Sequence, residues 1–398
     1  VLREDYKDAY KNLAIVHLKL KNHDTALEFA SKALVIDNTD YQIHYIMGTA
    51  YTAKKEYEKA VASLLEGLKL KPDHALMYNN LGSCYLALKM IKEAQEAFEK
   101  AVELDSSNAT SYYNLATALQ LQQKHKEAFE YFKKSYEIEP SEFYLSAAAV
   151  GSINAERWHD AIVYYQKLII AHPEKQNFQY NLATAYQQTG KYNEAIKLLT
   201  QLVATNPKSV AMGQRLADCY EKTGNLQMAK NTYTNLIRLG KIPADVYYRY
   251  AILCMKTDDK DKAETIFKKV IQLDPKNPYA HKDLGVVYLS QRLFDYAKEE
   301  FETAYKMAPE DSAVVFEMAN FYHAMNDFQK AKELYEKAFK LAPEVMDIAV
   351  FRAINYLRLN EIDTALELFL DAMKKYPSQH IILFNIGLIY YQKGNFDA

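Results

Sequence analysis

The chain has 398 residues, 49% of them apolar and 25% charged, with a net charge of −2. That composition is globular, and the near-neutral balance argues against an electrostatically driven partner such as duplex DNA. No run of eighteen apolar residues occurs, so no membrane span is encoded.

Taken in order, the chain repeats one unit. An alanine returns as Ala26, Ala60, Ala94, Ala128, Ala161, Ala195, Ala229, Ala263, Ala297, Ala331 and Ala365; nine of the ten spacings are 34 residues, and Ala128 to Ala161 is 33. A fixed period of this length marks a solenoid, in which each unit buries its apolar face only against its neighbours. Length alone suggests several domains, but a solenoid grows its core lengthwise, so residues 1–398 read as a single continuous array. After a lead-in over residues 1–6, the units run 7–40, 41–74, 75–108, 109–141, 142–175, 176–209, 210–243, 244–277, 278–311, 312–345 and 346–379, with a partial twelfth at 380–398. That partial unit reads as the cut edge of a longer protein.

Within each unit the spacing predicts two helices. Twelve residues before each alanine stands Ala14, Gly48, Gly82, Ala116, Ala149, Ala183, Ala217, Ala251, Gly285, Ala319 or Ala353, small residues where two helices must approach closely. Four residues after the alanine an aromatic is common, as in Phe98, Phe132, Tyr165, Tyr233, Phe267, Phe301, Tyr335 and Phe369, on the same helical face. Prolines such as Pro72, Pro140, Pro173 and Pro275 close the unit, because proline cannot continue the preceding helix. Asp73, Asn108, Ser141, Asn177 and Asp311 are candidate N-caps, and Gly190, Gly224 and Gly394 are candidate turns between paired helices. Two units depart from the pattern. The fifth follows the one-residue deletion and carries Ser146-Ala147-Ala148-Ala149-Val150-Gly151, either a tolerated irregularity or a change of twist or docking slot. The seventh ends Gly240-Lys241-Ile242-Pro243, a reshaped junction.

These residues identify the chain as similar to the tetratricopeptide repeat family, whose unit is a 34-residue helix–turn–helix. The resemblance implies an all-α, right-handed superhelical solenoid of about eleven and a half repeats, with the first helix of each pair lining a concave groove. It implies protein binding and leaves the partner open, since fold does not dictate function. Fourteen residues before the alanine the groove carries Asn12, Ile46, Asn80, Asn114, Ala147, Asn181, Arg215, Arg249, Asp283, Glu317 and Phe351, with Asn385 in the last helix. An Asn amide donates and accepts, matching the N–H and C=O of an extended peptide, although Asn at this position can equally bridge neighbouring helices. The partial ladder resembles that of the repeat domain of O-linked N-acetylglucosamine transferases, and it is broken at Ile46 and Ala147. With Tyr113, Tyr180, Thr117 and Thr184 nearby, the first half presents amides, hydroxyls and phenols. The second half is more aromatic and cationic, with Arg215, Arg249, Tyr248, Phe316 and Phe351 as candidate anchors. Lys11 and Asn12 begin the pattern of the family's chaperone-tail clamp, but Ile15, Ile46 and Leu76 do not continue it.

Cys84, Cys219 and Cys254 read as buried free thiols, favouring a reducing, cytoplasm-like compartment. The ten histidines show no metal-ligand spacing, and no phosphate-binding glycine loop or nucleophile elbow appears, so no catalytic site, metal or cofactor is expected. The sequence is therefore read as a non-catalytic scaffold that binds a peptide or partner subunit in its groove and organises a complex. Two alternatives stay open: the substrate-recruiting arm of a larger enzyme such as a glycosyltransferase, and a self-assembling structural subunit.

Overall fold

A computed structural model describes residues 4–240 and 242–394. Lead-in residues 1–3, Lys241 in the seventh unit's junction and the last four residues of the twelfth unit lie outside the described residues. The described chain forms twenty-three α-helices and clusters into two compact units, Val1–Thr205 and Asn206–Ala398. The first unit holds α1 (Glu4–Lys19), α2 (His23–Ile36), α3 (Tyr41–Ala53), α4 (Tyr57–Leu70), α5 (Ala75–Ala87), α6 (Ile91–Leu104), α7 (Ala109–Leu121), α8 (His125–Ile138), α9 (Glu142–Asn154), α10 (Trp158–Ala171), α11 (Gln176–Gln188) and α12 (Tyr192–Thr205). The second holds α13 (Val210–Lys222), α14 (Leu226–Arg238), α15 (Ala244–Lys256), α16 (Lys260–Leu273), α17 (Pro278–Ser290), α18 (Phe294–Met307), α19 (Ser312–Ala324), α20 (Phe328–Leu341), α21 (Met346–Arg358), α22 (Ile362–Lys375) and α23 (His380–Gln392). Helix α1 starts inside the expected lead-in.

The repeating alanines are the pivots of the fold. Ten of the eleven have no exposed surface, and Ala128 has 2%. The small residue twelve positions earlier leaves room for the large side chain four positions after the alanine. At Gly82 a Cβ would sit 2.6 Å from the Phe98 ring, and at Gly48 it would sit 2.6 Å from Leu64. Consecutive repeats join their cores: in the first unit one buried cluster runs from Ala94 and Phe98 through Phe132 and Tyr165 to Ala185, with half-buried Trp158 packed against it. The three cysteines are buried, and burial pushes the Cys219 and Cys254 thiols up to about 11.

Every turn between paired helices places one residue in the left-handed region, five positions before the alanine. Glycine does this at Gly190 and Gly224, as expected, and Gly394 adopts the same conformation after α23. In the other repeats the position is Lys21, Lys55, Lys89, Gln123, Glu156, Asp258, Arg292, Asn326 or Asn360, at φ between 55° and 64°. Repeat packing therefore imposes a conformation that L-residues resist. Asn108, Ser141 and Asp311 cap α7, α9 and α19 as expected. Two expected caps shift: His74, not Asp73, caps α5, its Nδ1 accepting from the Met77 N–H at 3.2 Å, and Lys175 rather than Asn177 precedes α11. The one-residue deletion falls between α8 and α9, where residues 139–141 replace the usual four-residue connection. In the seventh unit α14 ends early, Gly240 turns at φ 94°, and Ile242 is buried in the reshaped junction.

Candidate functional site: the first-helix faces

In the first unit, α3, α5, α7 and α11 contain no Asp, Glu, Lys or Arg, and α9 contains only Glu142. Helix α1 is the charged exception; its Lys11 donates to Asp40 at 2.8 Å. The carboxylate of Glu142 lies 2.7 Å from His172 Nε2 and 3.2 Å from Lys175 Nζ, and these bonds lower its pKa. Its charge is thus answered within the chain.

Of the four ladder asparagines of this unit Asn12 is exposed, and the other three are half-buried and fixed by neighbours. Asn80 Nδ2 donates to Thr49 Oγ1 at 3.3 Å, Asn114 Nδ2 to Asn79 Oδ1 at 3.0 Å, and Asn181 Nδ2 to the Tyr165 hydroxyl at 2.9 Å. Each bond reaches into the preceding repeat, so these amides do bridge helices. Each spends one N–H in doing so. Thr117 and Thr184 turn their hydroxyls back onto the carbonyls of Tyr113 and Tyr180 at 2.9 Å, one helical turn earlier. Those hydroxyl protons are engaged in the helix, which leaves the oxygens as acceptors. The Tyr113 ring lies tilted against those of Phe143 (4.8 Å between centroids) and Phe132 (5.6 Å). Tyr180 is half-buried on α11.

Beside Tyr113 the fifth repeat opens a pocket of about 690 Å³, lined by Tyr113, Thr117, Leu121, Phe132, Phe143 and Val150 among others. Its cause is local: α9 carries Ser146 and Ala147 in the phase where α5, α7 and α11 carry larger residues, and their missing side chains leave the space. Phe143 is the residue sequence reasoning overlooked. It stands eighteen positions before Ala161, a phase filled by Gln42, Thr110, Asn177 and Asp245 but also by Leu76 and Tyr279 elsewhere, so its residue type gave only a weak signal.

In the second unit the candidate side chains are mostly engaged with one another. Exposed Arg249 lies 3.4 Å from Asp218, which also accepts from the Tyr233 hydroxyl at 3.2 Å. Tyr248 donates to Asp283 Oδ2 at 2.6 Å, and Lys282 donates to the other oxygen of this buried carboxylate at 2.6 Å. Burial and the Asp283 charge push the Tyr248 hydroxyl well above its usual range. Burial also raises the Glu317 carboxyl, against the Asn320 amide that donates to it at 3.2 Å. Phe316 packs between Tyr335 (5.9 Å) and Phe351 (5.7 Å), and Phe351 stays 39% exposed. Arg215 is half-buried on α13. The structure thus brings Tyr113 with Thr117 and Phe316 with Phe351, and it keeps the asparagines one per repeat. Among the described residues no His, Cys, Asp and Glu group is arranged to hold a metal, and no helix is long and apolar enough to cross a membrane.

Comparison with known proteins places this geometry in context. Residues 48–89, 73–141, 153–209 and 352–398 match tetratricopeptide repeat families, and residues 214–342 match the cilia and flagella-associated protein 70 middle TPR-like domain. A 58-residue stretch is 40% identical to FK506-binding protein 5 of Rhizopus delemar (strain RA 99-880), covering 15% of this chain and 15% of that protein. In three dimensions the chain is similar to a structure of Naa15/Naa10 bound to HypK-THB, with a TM-score of 0.51 at 15% identity over 98% of this chain and 66% of that one. Yeast Tom70 aligns with a TM-score of 0.47 at 19% identity, over 100% of this chain and 90% of that one. The chain spans less than two thirds of the length of both the FK506-binding protein and the Naa15/Naa10 match.

Proposed function

The chain belongs to the tetratricopeptide repeat superfamily, and we propose that it is a protein-binding scaffold whose first unit holds an extended, uncharged segment of a partner. The observation that carries this reading is the uncharged face of α3, α5, α7 and α11 with its fixed amides. Asn80, Asn114 and Asn181 are each oriented by a neighbouring repeat, and each keeps a second N–H and a carbonyl for a peptide backbone. Orientation in advance reduces the entropy lost on binding. In the second unit Arg215, Arg249, Tyr248, Phe316 and Phe351 are assigned to a separate contact that supplies affinity.

The test is a triple variant, Asn80→Ala, Asn114→Ala and Asn181→Ala, assayed against peptides selected on the wild-type protein. Losing three hydrogen bonds of roughly 1 kcal/mol each weakens binding by at least about tenfold, with the helical circular dichroism unchanged. Undiminished affinity in a folded triple variant refutes the amide role.

A second reading concerns setting. The match of residues 214–342 to a cilia and flagella-associated protein supports work in a ciliary or flagellar assembly. Tagged protein that stays out of the cilium in a ciliated cell would remove it.

A further inference from the structure

We infer that the pocket between α7, α8 and α9 receives one bulky apolar side chain, aromatic or long aliphatic, from the uncharged extended segment proposed for this face. The inference rests on that reading and gives the segment its anchor.

Three observations converge on this occupant. First, the position of the pocket in the ladder matters. Amides at Asn114 and Asn181 flank it, one repeat before and one after, and Ala147 stands where the intervening amide would be. A backbone held by Asn114 and Asn181 passes over a hole at the rung between them, which offers it no side-chain hydrogen bond. What can be gained at that rung is burial of a side chain.

Second, the lining is mostly apolar, with Thr117, Gln120, Glu142 and Ser146 as its polar members. Phe143, Leu121 and Val150 are 57%, 57% and 47% exposed on this surface, around the rings of Tyr113 and Phe132. A volume of about 690 Å³ lies in the range of roughly 300–1,000 Å³ of ordinary ligand pockets. A guest ring would meet Tyr113, Phe132 and Phe143 in the tilted arrangements aromatic side chains prefer. Gly151 keeps the pocket's inner wall in place, since a Cβ there would sit 2.8 Å from Phe132.

Third, charge selects the guest. The first helices around the pocket carry only Glu142, already satisfied by His172 and Lys175. An Asp or Glu arriving from a partner would lose hydration and meet the Glu142 carboxylate on the pocket wall, and a Lys or Arg would compete with His172 and Lys175 for that one carboxylate. A bulky apolar side chain loses nothing of the kind.

The experiment is selection of a displayed library of random short peptides on the whole protein, repeated on Ala147→Asn and on Phe143→Ser. Ala147→Asn installs the residue that four other repeats of this unit carry in this phase, so it narrows the pocket and lines it with a polar amide without challenging the fold. Phe143→Ser removes a largely exposed wall, and thermal melting confirms that both variants fold. The expected result is enrichment of uncharged peptides sharing one Phe, Trp, Tyr, Leu or Met. Replacing that residue by Ala should weaken binding by at least about tenfold on the wild type, and the same exchange should have little effect on either variant. Peptides that bind wild type and both variants equally overturn the pocket and leave the backbone reading standing. Enriched peptides anchored by a charged residue, or patterned as amphipathic helices, overturn the inference as well. No enriched peptide at all overturns both the pocket and the reading beneath it.

Discussion

First helices in the two units obey one packing rule and differ in what they show to solvent. Helices α3, α5, α7 and α11 have no charged residue, whereas α13, α15, α17, α19 and α21 each have at least one; α1 and α9 of the first unit and the uncharged α23 of the second are the exceptions. Yet Ala183 and Ala217, in corresponding positions of the two units, are both fully buried. The positions that pack the repeat and the positions that face a ligand are different residues on the same helix. Binding chemistry can therefore change along the chain while the core stays constant. In the second unit the charges meet partners across or within repeats, as Arg249 meets Asp218 and Lys282 meets Asp283. A partner there competes with an existing ion pair. On α3, α5, α7 and α11 of the first unit it meets no charged residue.

The shared packing rule breaks first if Ala195→Leu in the first unit and Ala263→Leu in the second are tolerated. Both alanines have no exposed surface, and overpacking either costs about 1–3 kcal/mol. Hydrogen exchange resolved by unit reads this, because repeat arrays need not unfold as one. Protection unchanged from wild type in either unit would show that its alanine is not a packing pivot.

A smaller effect sharpens the comparison at the turns. Lys55 sits at φ 62° and Asn326 at φ 61°. Lys55→Gly relieves a left-handed lysine and stabilises the first unit by about 0.5–1 kcal/mol after the glycine entropy cost. Asn326→Gly gives the second unit less, because Asn tolerates this conformation. Urea midpoints check the order of the two.

The smallest effect separates the units by sign. Burial lowers His74 below its ordinary value of 6.5, and its neutral Nδ1 caps α5. That stability is present above 6.5 and is lost as pH falls through the lowered folded value. Burial raises Glu317 above 4.5, so its contribution is present below 4.5 and is lost as pH rises through the raised folded value. Acidification thus loosens the first unit at His74 and relieves the second at Glu317. His74→Asn, a cap that does not titrate, should flatten the first slope, and Glu317→Gln the second. Exchange rates followed across about pH 4 to 8 measure both, and slopes unmoved by the substitutions would assign the dependence elsewhere.

Particular residues show how far reading the chain could go. Asn108, Ser141 and Asp311 were legible as caps because the best capping residue happens to stand at the helix start. Asp73 and Asn177 were not, because the repeat register sets where α5 and α11 begin and leaves His74 and Lys175 at those starts. The left-handed turn was legible at three glycines and invisible at Lys55 or Arg292, whose side chains give no sign of it. At the candidate site, Tyr113 and the small residues of the fifth repeat could be singled out. Phe143 could not be weighed until its ring was seen 4.8 Å from Tyr113.

The sequence by itself determined the number of repeats, the pairing of helices and the buried alanines, because these follow from a period that every unit restates. Only the tertiary structure decided which polar groups are already spent. Asn80 and Thr49 are 31 residues apart, and Asn114 and Asn79 are 35 apart. Their meeting depends on how one repeat stacks on the next. The same is true of the pocket at Ala147, which is a space between helices and has no residue of its own to announce it.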